Sequence, residues 1–301
     1  MISDFFKIGK GLYSKWFSEY RLDDTDIENL QKRLLEIFVA FKKLCDDNGI
    51  RYMLCGGSLL GTVRHQGFIP WDDDIDIMIL REDYDRFVKV FEKAKQKGEM
   101  PDYILAKPFE TKGYYLKIPR LLDKTTEYVT VNYMGIPDYN MVGIDLFILE
   151  KEPENTVLRT VRYAVFRFAF LASSFCIDYM FPSRIIIRKS KDNKELRKYY
   201  AFRRSIGALF AHIGGIRMWL GICKRLKEYR GETSLRRILT GLPWETYRES
   251  EIMDISKGMF CGYEVNMPGH HERYLTCLFG DYMKIPPESE REVHVAYKMK
   301  L

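Results

Sequence analysis

The chain has 301 residues, of which 46% are hydrophobic and 30% charged, and its formal net charge is +6. This composition is typical of a soluble globular protein and excludes a chain too poor in apolar residues to fold. The length gives ample core for one large domain or two small ones. The mildly positive charge favours anionic partners, such as phosphorylated small molecules, acidic membrane surfaces or nucleic acid.

The cysteines and the amino terminus indicate a cellular compartment. Six cysteines are spread along the chain without Cys-x-x-Cys spacing, and the amino terminus lacks the uninterrupted apolar run of a signal peptide. We therefore expect reduced, mostly buried thiols and a cytoplasmic location.

Two helices are predicted at the start of the chain. Residues 1–24 have apolar side chains at helical spacing and lysines on the other faces. Such a basic amphipathic helix either lies on an anionic membrane or docks on the rest of the protein. A longer helix, the first of a core domain predicted over 25–150, runs from a cap at Asp24 or Thr25 to Gly49.

The most informative stretch contains two nearby aspartates. A strand over 50–55 leads through a glycine-rich turn and a short helix to a second strand that carries Asp74 and Asp76. Alternate residues of a strand share a face, so these aspartates lie side by side while Ile75 and Ile77 enter the core. Two neighbouring carboxylates repel each other unless a cation binds between them, and Mg²⁺ prefers such oxygen ligands. Mn²⁺ is the alternative ion.

The turn between these strands is Gly56-Gly57-Ser58. Its backbone N–H groups and hydroxyl precede a helix, where the positive helix end favours a bound anion. A phosphate cradle joined by a short helix to a metal-binding carboxylate pair is typical of phosphoryl transfer. The structural alternative is a polar strand edge that follows a tight turn.

The segment after these strands is predicted to continue the sheet. A helix is expected over 82–97, and the segments 102–106, 114–122 and 126–131 alternate as strands do. In the second of these strands Lys117 and Arg120 are candidates for phosphate binding, the alternative being a solvated strand face.

A third aspartate, Asp145, interrupts the apolar strand Met141–Leu149. A carboxylate is costly to bury without a partner, so its side chain is expected to project away from the core, opposite Ile144 and Leu146. The alternative is a strand aspartate hydrogen-bonded to backbone or water.

The remainder of the chain, 151–301, is predicted to be mainly helical. It is rich in arginine, lysine and aromatic residues, and its apolar run Phe168–Ile177 has ten residues between Arg167 and Asp178. That run is too short for a bilayer, which needs about 20 residues. The basic runs are either solvated helix faces or surfaces for anionic lipid.

The motif resembles a known family. Gly-Gly-Ser, a helix and Asp-Ile-Asp-Ile resemble the core of the nucleotidyltransferase superfamily. The longer string from Gly56 to Asp76, which includes Arg64-His65 and Gly67-Phe-Ile-Pro-Trp-Asp-Asp-Asp, is similar to the LicD branch, with fukutin and fukutin-related protein. Gly143-Ile-Asp-Leu-Phe147 and the tail Tyr274-Leu…Gly-Asp-Tyr-Met…Pro-Pro287 are similar to LicD proteins as well, although Phe279 replaces the usual tyrosine.

The resemblance implies a fold and an activity. The fold is α+β, a polymerase β-like nucleotidyltransferase core with a mixed sheet flanked by helices, followed by a helical region near the acceptor or membrane. The activity is transfer of a phospho-alcohol, typically phosphocholine, from a CDP-linked donor to a sugar hydroxyl of a glycan or glycolipid. The protein is expected to be cytoplasmic or peripheral on the inner face of the membrane.

The resemblance also implies roles for the site residues. Asp145 joins Asp74 and Asp76 as the third catalytic, metal-binding carboxylate. The donor phosphate would be held by Gly56, Gly57, Ser58 and Arg64. His65 either bonds phosphate or braces the turn, and Trp71 either stacks on the cytosine or choline or packs under the strand. Asp72 is expected to orient the other carboxylates and Asp73 to lie in a turn.

Two other functions stay open from the sequence. One is a nucleotidyltransferase that adds NMP to a small molecule or nucleic acid and releases pyrophosphate. The other is a retired scaffold that binds glycan or membrane, although unpaired clustered carboxylates would only destabilise such a protein. Nucleic acid is not expected as a partner, because the modest charge is accompanied by no recognised binding motif.

Overall fold

The structure is a computed structural model, and it describes residues 16–131, 133–136, 138–241, 245–291 and 295–301. Most of the predicted amphipathic helix, residues 1–15, lies outside the described residues. At the start of the described chain, Trp16 and Phe17 are buried together with Ile185, Ile186 and Leu196. The first described residues therefore pack against the region 185–196, in the second half of the chain.

The first long helix, α1, spans Asp24–Asp47 and confirms the predicted helix. Its cap is Asp23 rather than Asp24 or Thr25, because the Asp23 carboxylate accepts a hydrogen bond of 2.7 Å from the backbone N–H of Asp26. The apolar stripe of α1 is buried in the main core.

The motif region folds in the predicted order of strand, helix, strand and helix. The predicted strand over 50–55 shrinks to two residues, because the chain turns into a helix directly after it. That helix begins at Gly56, so Gly-Gly-Ser is its first turn and not a turn ahead of it. The helix predicted over 82–97 is confirmed. The four elements are β1 (Met53–Leu54), α2 (Gly56–His65), β2 (Asp76–Leu80) and α3 (Arg81–Gln96).

Four further strands follow, and three of them confirm predictions. The strand predicted over 114–122 is wrong for residues 114–119. Pro119 has no N–H to donate to a neighbouring strand, and sheet pairing begins only at the next residue, Arg120. The strands are β3 (Tyr103–Ala106), β4 (Arg120–Asp123), β5 (Glu127–Thr130) and β6 (Gly143–Lys151).

The central strand of the main sheet is β6. It runs parallel to β2, with Asp76 opposite Asp145, and antiparallel to β4 on its other side. β1 pairs with the outer edge of β2, and β3 with the outer edge of β4. The side chains of α1 and α3 join this sheet in one hydrophobic core. The predicted class, a mixed sheet with flanking helices in an α+β protein, is confirmed.

The rest of the chain begins with helices and then returns to strands. The helices are α4 (Thr156–Met180), α5 (Arg184–Ser190) and α6 (Lys194–Lys227), and α6 is broken at Gly215, whose φ is +69°. The later elements are β7 (Leu235–Ile238), β8 (Thr246–Arg248), α7 (Glu249–Met253), β9 (Ser256–Phe260), β10 (Tyr263–Met267), α8 (His271–Phe279) and β11 (Ala296–Lys300). β7 pairs with β6, and β8 pairs with β7. The main sheet therefore contains strands from both the predicted core domain, 25–150, and the region after it.

The helices α4 and α6 pack antiparallel to each other, with Arg162 bonded to Leu226 near one end and Arg203 to Asp178 near the other. By length and composition alone, both are long and apolar enough to cross a membrane. The ten-residue run considered in the sequence is part of a helix of 25 residues, so its length does not exclude a span. Only 33% of the most apolar window of α4 and 28% of that of α6 are buried.

Candidate active site

Five aspartates meet where β2 begins beside β6. Asp76 is the first residue of β2 and is the register partner of Asp145 on β6. Asp72, Asp73 and Asp74 approach from the preceding segment, and each has a carboxylate oxygen within 4.8 Å of the others. Parallel pairing sets the side chains of opposite residues on one face, which is why aspartates far apart in sequence become neighbours.

Asp74 does not lie on a strand, contrary to the prediction. β2 begins only at Asp76, because its partner β1 ends at Leu54. Asp74 nevertheless lines the same cleft as Asp76 and a second cavity together with Asp145. Ile75 is fully buried, as predicted.

The carboxylates carry more negative charge than their surroundings neutralise. Burial raises the pKa of Asp74 well above its ordinary value, and the charge of Asp76 raises it further. The pKa of Asp76 is raised in the same way by burial and by Asp145. The compensating cation nearest to Asp145 is Arg120, whose Nε lies 2.5 Å from its Oδ1. Such an all-oxygen, electron-rich donor set fits a hard divalent ion such as Mg²⁺ or Mn²⁺.

The two glycines bring the backbone close to these carboxylates. Gly56 has a φ of +52°, and a Cβ on it would collide with the carboxylate of Asp76. A Cβ on Gly57 would lie 2.7 Å from Oδ2 of Asp72. The positive φ favours glycine at Gly56, whereas a side chain at Gly57 would displace the Asp72 carboxylate. The Gly56 N–H donates to the hydroxyl of Tyr274 at 3.1 Å, which ties the bend to α8.

Ser58 lies beneath the bend rather than on its surface. Its side chain is 2% exposed, and its hydroxyl oxygen accepts a hydrogen bond of 2.9 Å from the Asp76 N–H. This hydrogen bond joins α2 to β2 and fixes the position of the Asp76 backbone relative to the glycine bend. The predicted contact between Ser58 and phosphate stays a prediction.

A cleft of about 530 Å³ opens beside the bend and the carboxylates. We call it the glycine cleft. Its walls include seven of the residues predicted from the motif, namely Gly56, Gly57, Arg64, Trp71, Asp72, Asp74 and Asp76.

Arg64 and His65 lie together on the last turn of α2. Arg64 donates to the backbone oxygens of Tyr282 at 2.6 Å and Lys284 at 3.2 Å, so it holds the tail over the glycine cleft. His65 does not line this cleft, and burial, followed by the charge of Arg64, lowers its pKa. The Arg64 Nε–H donates to Nδ1 of His65 at 3.4 Å, a contact that fits the bracing alternative for His65.

The tail supplies side chains that the motif did not reveal. The guanidinium of Arg291 lies 4.2 Å from the ring centre of Trp71, and Lys284, Asp281 and Glu245 also line the glycine cleft. Asp281 and Lys284 lie within the tail segment that resembles LicD proteins, but the resemblance assigned them no role, and Glu245 and Arg291 lie outside that segment.

Lys117 and Arg120 line a different cavity, of about 410 Å³, together with Asp73, Asp74 and Asp145. We call it the tyrosine cavity, after Tyr114, Tyr115, Tyr128, Tyr133 and Tyr139 in its walls. Asp73, expected in a turn, accepts a hydrogen bond of 2.6 Å from the Tyr128 hydroxyl. Of the predicted residues, the structure sets Asp76 opposite Asp145 and Asp74 between the two cavities, although the acids within 4.8 Å of one another are Asp72, Asp73 and Asp74. Lys117 and Arg120 do not line the glycine cleft.

Comparisons with known proteins find similar sequences over most of the chain. Residues 49–186 match the family model described as LicD/FKTN/FKRP, nucleotidyltransferase domain. Lipopolysaccharide cholinephosphotransferase LicD of Haemophilus influenzae is 29% identical over 264 residues, which cover 86% of this chain and 92% of that protein. Mouse ribitol-5-phosphate transferase FKTN is 27% identical over 141 residues, 46% of this chain and 26% of FKTN. Human ribitol 5-phosphate transferase FKRP is 60% identical over 35 residues, 12% of this chain and 7% of FKRP.

The fold and the site thus define an α+β protein with an acidic centre beside a glycine bend. The resemblance predicted from the motif is confirmed over residues 49–186, which match the LicD/FKTN/FKRP family model.

Proposed function

We propose that this protein is a metal-dependent phosphotransferase with a nucleotidyltransferase-type core. It moves a phospho-alcohol, with phosphocholine as the first choice, from a CDP-linked donor to a sugar hydroxyl of a cell-envelope glycan or glycolipid and releases CMP. The relatives named above are a cholinephosphotransferase and two ribitol phosphate transferases, which supports this class of transferred group.

One observation carries the proposal: the acidic centre separates two cavities. Asp72 and Asp76 line the glycine cleft, Asp73 and Asp145 line the tyrosine cavity, and Asp74 lines both. In displacement at phosphorus the attacking and leaving oxygens lie roughly in line on opposite sides. An acidic centre with a cavity on each side could therefore bind the donor in one cavity and the acceptor in the other, with the phosphorus between them.

We assign the donor to the glycine cleft. Its volume of about 530 Å³ is within the usual range for small-molecule sites. The positive amino-terminal end of α2 favours a bound phosphate, and Arg64, Lys284 and Arg291 add positive charge along the wall. The ring of Trp71 is the candidate surface for the cytosine base.

The acids and the acceptor hydroxyl perform the transfer step. Asp74, Asp76 and Asp145 would hold Mg²⁺, which when bound supplies positive charge against the diphosphate and the departing CMP. Arg120 fixes the Asp145 carboxylate through its ion pair and donates to the Gly143 carbonyl at 3.1 Å. Asp145 takes the proton from the acceptor hydroxyl. The new bond forms between that oxygen and the phosphorus that bears the alcohol, and the bond from this phosphorus to CMP breaks.

The test compares donors. The protein is incubated with Mg²⁺ and, in turn, CDP-choline, CDP-glycerol, CDP-ribitol, CTP or ATP, with water as a slow acceptor. We expect CMP from a CDP-alcohol, and none in EDTA. Pyrophosphate from CTP or ATP without CMP from any CDP-alcohol would instead identify an NMP transferase. Turnover of none of the five would point to a retired scaffold.

We also propose that the protein lies on the surface of an anionic membrane through α4 and α6. Large apolar side chains that are at least half exposed form the outer face of these helices: Val157, Val161, Phe168, Phe202, Leu209 and Ile213. Exposed cations adjoin this face on and around α5: Arg184, Arg188, Lys191, Lys194, Arg197 and Lys198. An apolar face bordered by cations is complementary to an anionic bilayer surface.

Contacts on the inner face of α4 favour a position along the membrane over one across it. The Tyr163 hydroxyl donates to the Gly241 carbonyl near the start of the helix, and Ser174 bonds Lys117 further along. Phe181, directly after the helix, stacks on Tyr115 with ring centres 4.9 Å apart. Because globular protein covers one side of α4 along its length, only the opposite side can meet lipid.

Vesicle flotation tests this location. We expect binding to vesicles of phosphatidylcholine with phosphatidylglycerol, and much less to phosphatidylcholine alone. Leu209→Glu combined with Ile213→Glu should abolish binding, whereas Met259→Glu, at a position 45% exposed on β9, should not. Failure of the wild type to bind anionic vesicles, or a dimer in solution that the double variant dissociates, would contradict a lipid-facing surface.

A further inference from the structure

The tyrosine cavity has rigid walls with aromatic surfaces. Three tyrosine hydroxyls are bonded within the protein: Tyr114 to the Ile118 carbonyl at 2.7 Å, Tyr139 to the Lys112 carbonyl at 3.0 Å, and Tyr128 to Asp73 at 2.6 Å. Because these bonds fix the rings, the cavity is formed before a ligand arrives. Fixed aromatic rings with polar tips suit the apolar faces and hydroxyls of a sugar.

One wall carries a buried cation, Lys117. Its side chain is 8% exposed, and its Nζ donates to the Ser174 Oγ at 2.9 Å and lies 4.8 Å from the ring centre of Phe170. Ser174 in turn donates to the Phe170 carbonyl at 3.0 Å, so its oxygen is oriented to accept from the ammonium. The position of Lys117 is therefore well defined.

Lys117 differs from its neighbour Arg120 in having no counter-ion. Within the described part of the chain no carboxylate forms an ion pair with it, whereas Arg120 is paired with Asp145. The negative charge of Asp178 raises the pKa of Lys117 without forming an ion pair with it, because the Asp178 carboxylate is paired with Arg203 at 2.6 Å. Burial lowers the pKa of Lys117 to about 8, so most of it still carries its charge at neutral pH. A buried cation without a partner is costly and is stabilised by an anion beside it.

We propose that the tyrosine cavity binds the acceptor and that Lys117 recognises an anionic group, a phosphate or carboxylate, on the acceptor glycan. The sugar would occupy the ring-lined space, with one hydroxyl towards Asp145 and its anionic substituent towards α4. The assignment rests on the proposed function, because it takes the glycine cleft as the donor side. It adds that the acceptor is an acidic or phosphorylated sugar rather than a neutral one.

The test uses three probes: glucose, glucose 6-phosphate and glucuronate, with binding measured by calorimetry at neutral pH. We expect wild type to bind the two anionic probes at least roughly 10-fold more tightly than glucose, in line with a charge-assisted contact. Lys117→Met keeps the length of the side chain and should remove this difference. Lys42→Met is the matched control, because Lys42 on α1 is already paired with Asp46.

Two measurements keep the outcomes distinct. Thermal unfolding of Lys117→Met should show a folded protein at least as stable as wild type, because the substitution removes an uncompensated buried charge. CDP-choline with Mg²⁺ is titrated in parallel to report on the donor side alone. Equal affinity of wild type for all three probes, no probe binding at all, or an anion preference that survives in Lys117→Met would overturn the acceptor assignment. Absence of donor binding and CMP release would instead contradict the proposed function.

Discussion

The two cavities that meet at the aspartates are built from the chain in different ways. The glycine cleft takes one wall from a continuous stretch, Cys55 to Asp76, and the others from β6, from β7 and the segment after it, and from the tail. The tyrosine cavity combines the loop before β4, the strand β5, the segment before β6 and one face of α4. Both cavities depend on long-range packing, but only the glycine cleft has a wall formed by one continuous motif. We infer that acceptor choice can change within such a protein while the donor side stays the same.

Loss of a carboxylate shared by both sides should have the largest effect. Asp76→Asn removes a ligand for the proposed metal, and we expect CMP release to fall by at least about 10³-fold, since several kcal/mol of charge stabilisation are lost. The metal-free variant should be as stable as wild type or more so, because a repelling buried charge is gone. Turnover and melting temperature with and without Mg²⁺ measure both effects.

Asp47→Asn is the control for this variant, because Asp47 is 58% exposed at the end of α1, far from the aspartates. It should keep wild-type turnover and the full stabilisation by Mg²⁺. If Mg²⁺ stabilised Asp76→Asn as much as wild type, the metal would have to bind elsewhere.

A substitution confined to the glycine cleft should separate the two sides. In Gly57→Ala the new methyl group displaces the Asp72 carboxylate, 2.7 Å away, and we expect turnover to fall roughly 10- to 100-fold with a weaker affinity for CDP-choline. Affinity for glucose 6-phosphate should not change. The control Gly221→Ala, in α6 with no atom within 4 Å of its new Cβ, should be fully active and about 0.5–1 kcal/mol more stable. Equal loss of donor and sugar binding in Gly57→Ala would contradict two independent sides.

The metal-free protein should become less stable as pH rises. Burial and mutual repulsion raise the pKa of Asp74 and Asp76 in the folded state, whereas in the unfolded chain both return to about 3.9. The folded state therefore binds more protons above that pH, and the free energy of unfolding falls from about pH 4 up to the raised pKa values. For each carboxyl group, a tenfold difference in proton affinity between the two states corresponds to about 1.4 kcal/mol.

Urea unfolding in EDTA from pH 4.5 to 7.5 measures how the free energy of unfolding changes with pH. All other titratable groups also contribute to this slope, so the contribution of Asp76 is taken from the difference between wild type and Asp76→Asn. Asp76→Asn should flatten the slope relative to wild type, and saturating Mg²⁺ should do the same. A slope that is identical in wild type and variant would show that these acids are not electrostatically strained.

The smallest effect is expected on the acceptor side. Tyr128→Phe removes the hydrogen bond to Asp73 but keeps the ring, and we expect about 1 kcal/mol of lost stability and a few-fold weaker affinity for glucose 6-phosphate. Affinity for CDP-choline should stay at the wild-type value. A larger change in donor affinity than in sugar affinity would reverse the assignment of the two cavities.

Much of the acidic centre could be predicted from the sequence. Asp76 and Asp145 each interrupt an apolar strand, and the alternation of strand side chains predicts that both leave the core. Their parallel pairing, residue opposite residue, confirms the convergence. Asp74 was predicted on the strand β2, but it precedes that strand. It still lines the glycine cleft, because the chain stays close to the cleft before strand pairing begins.

The neighbours of the acidic centre were harder to predict. Ser58 belongs to the bend in sequence, yet its hydroxyl bonds the backbone of β2 below it. Lys117 was expected on a strand beside phosphate, but Pro119 delays the strand and Lys117 packs against α4. Arg291 and Tyr274 come from the tail and reach the motif only through the fold.

The sequence by itself determined the elements around the glycine bend and the neighbouring pair Asp74 and Asp76, and its resemblance to LicD proteins implied the class of fold and the third acid, Asp145. Side-chain periodicity and the spacing of residues a few positions apart are short-range properties of the chain. Only the tertiary structure decided that the centre has two sides and that a buried lysine lies on one of them with no ion pair to the described residues. That arrangement arises where four distant segments pack together, and the environment of a buried charge depends on all of them at once.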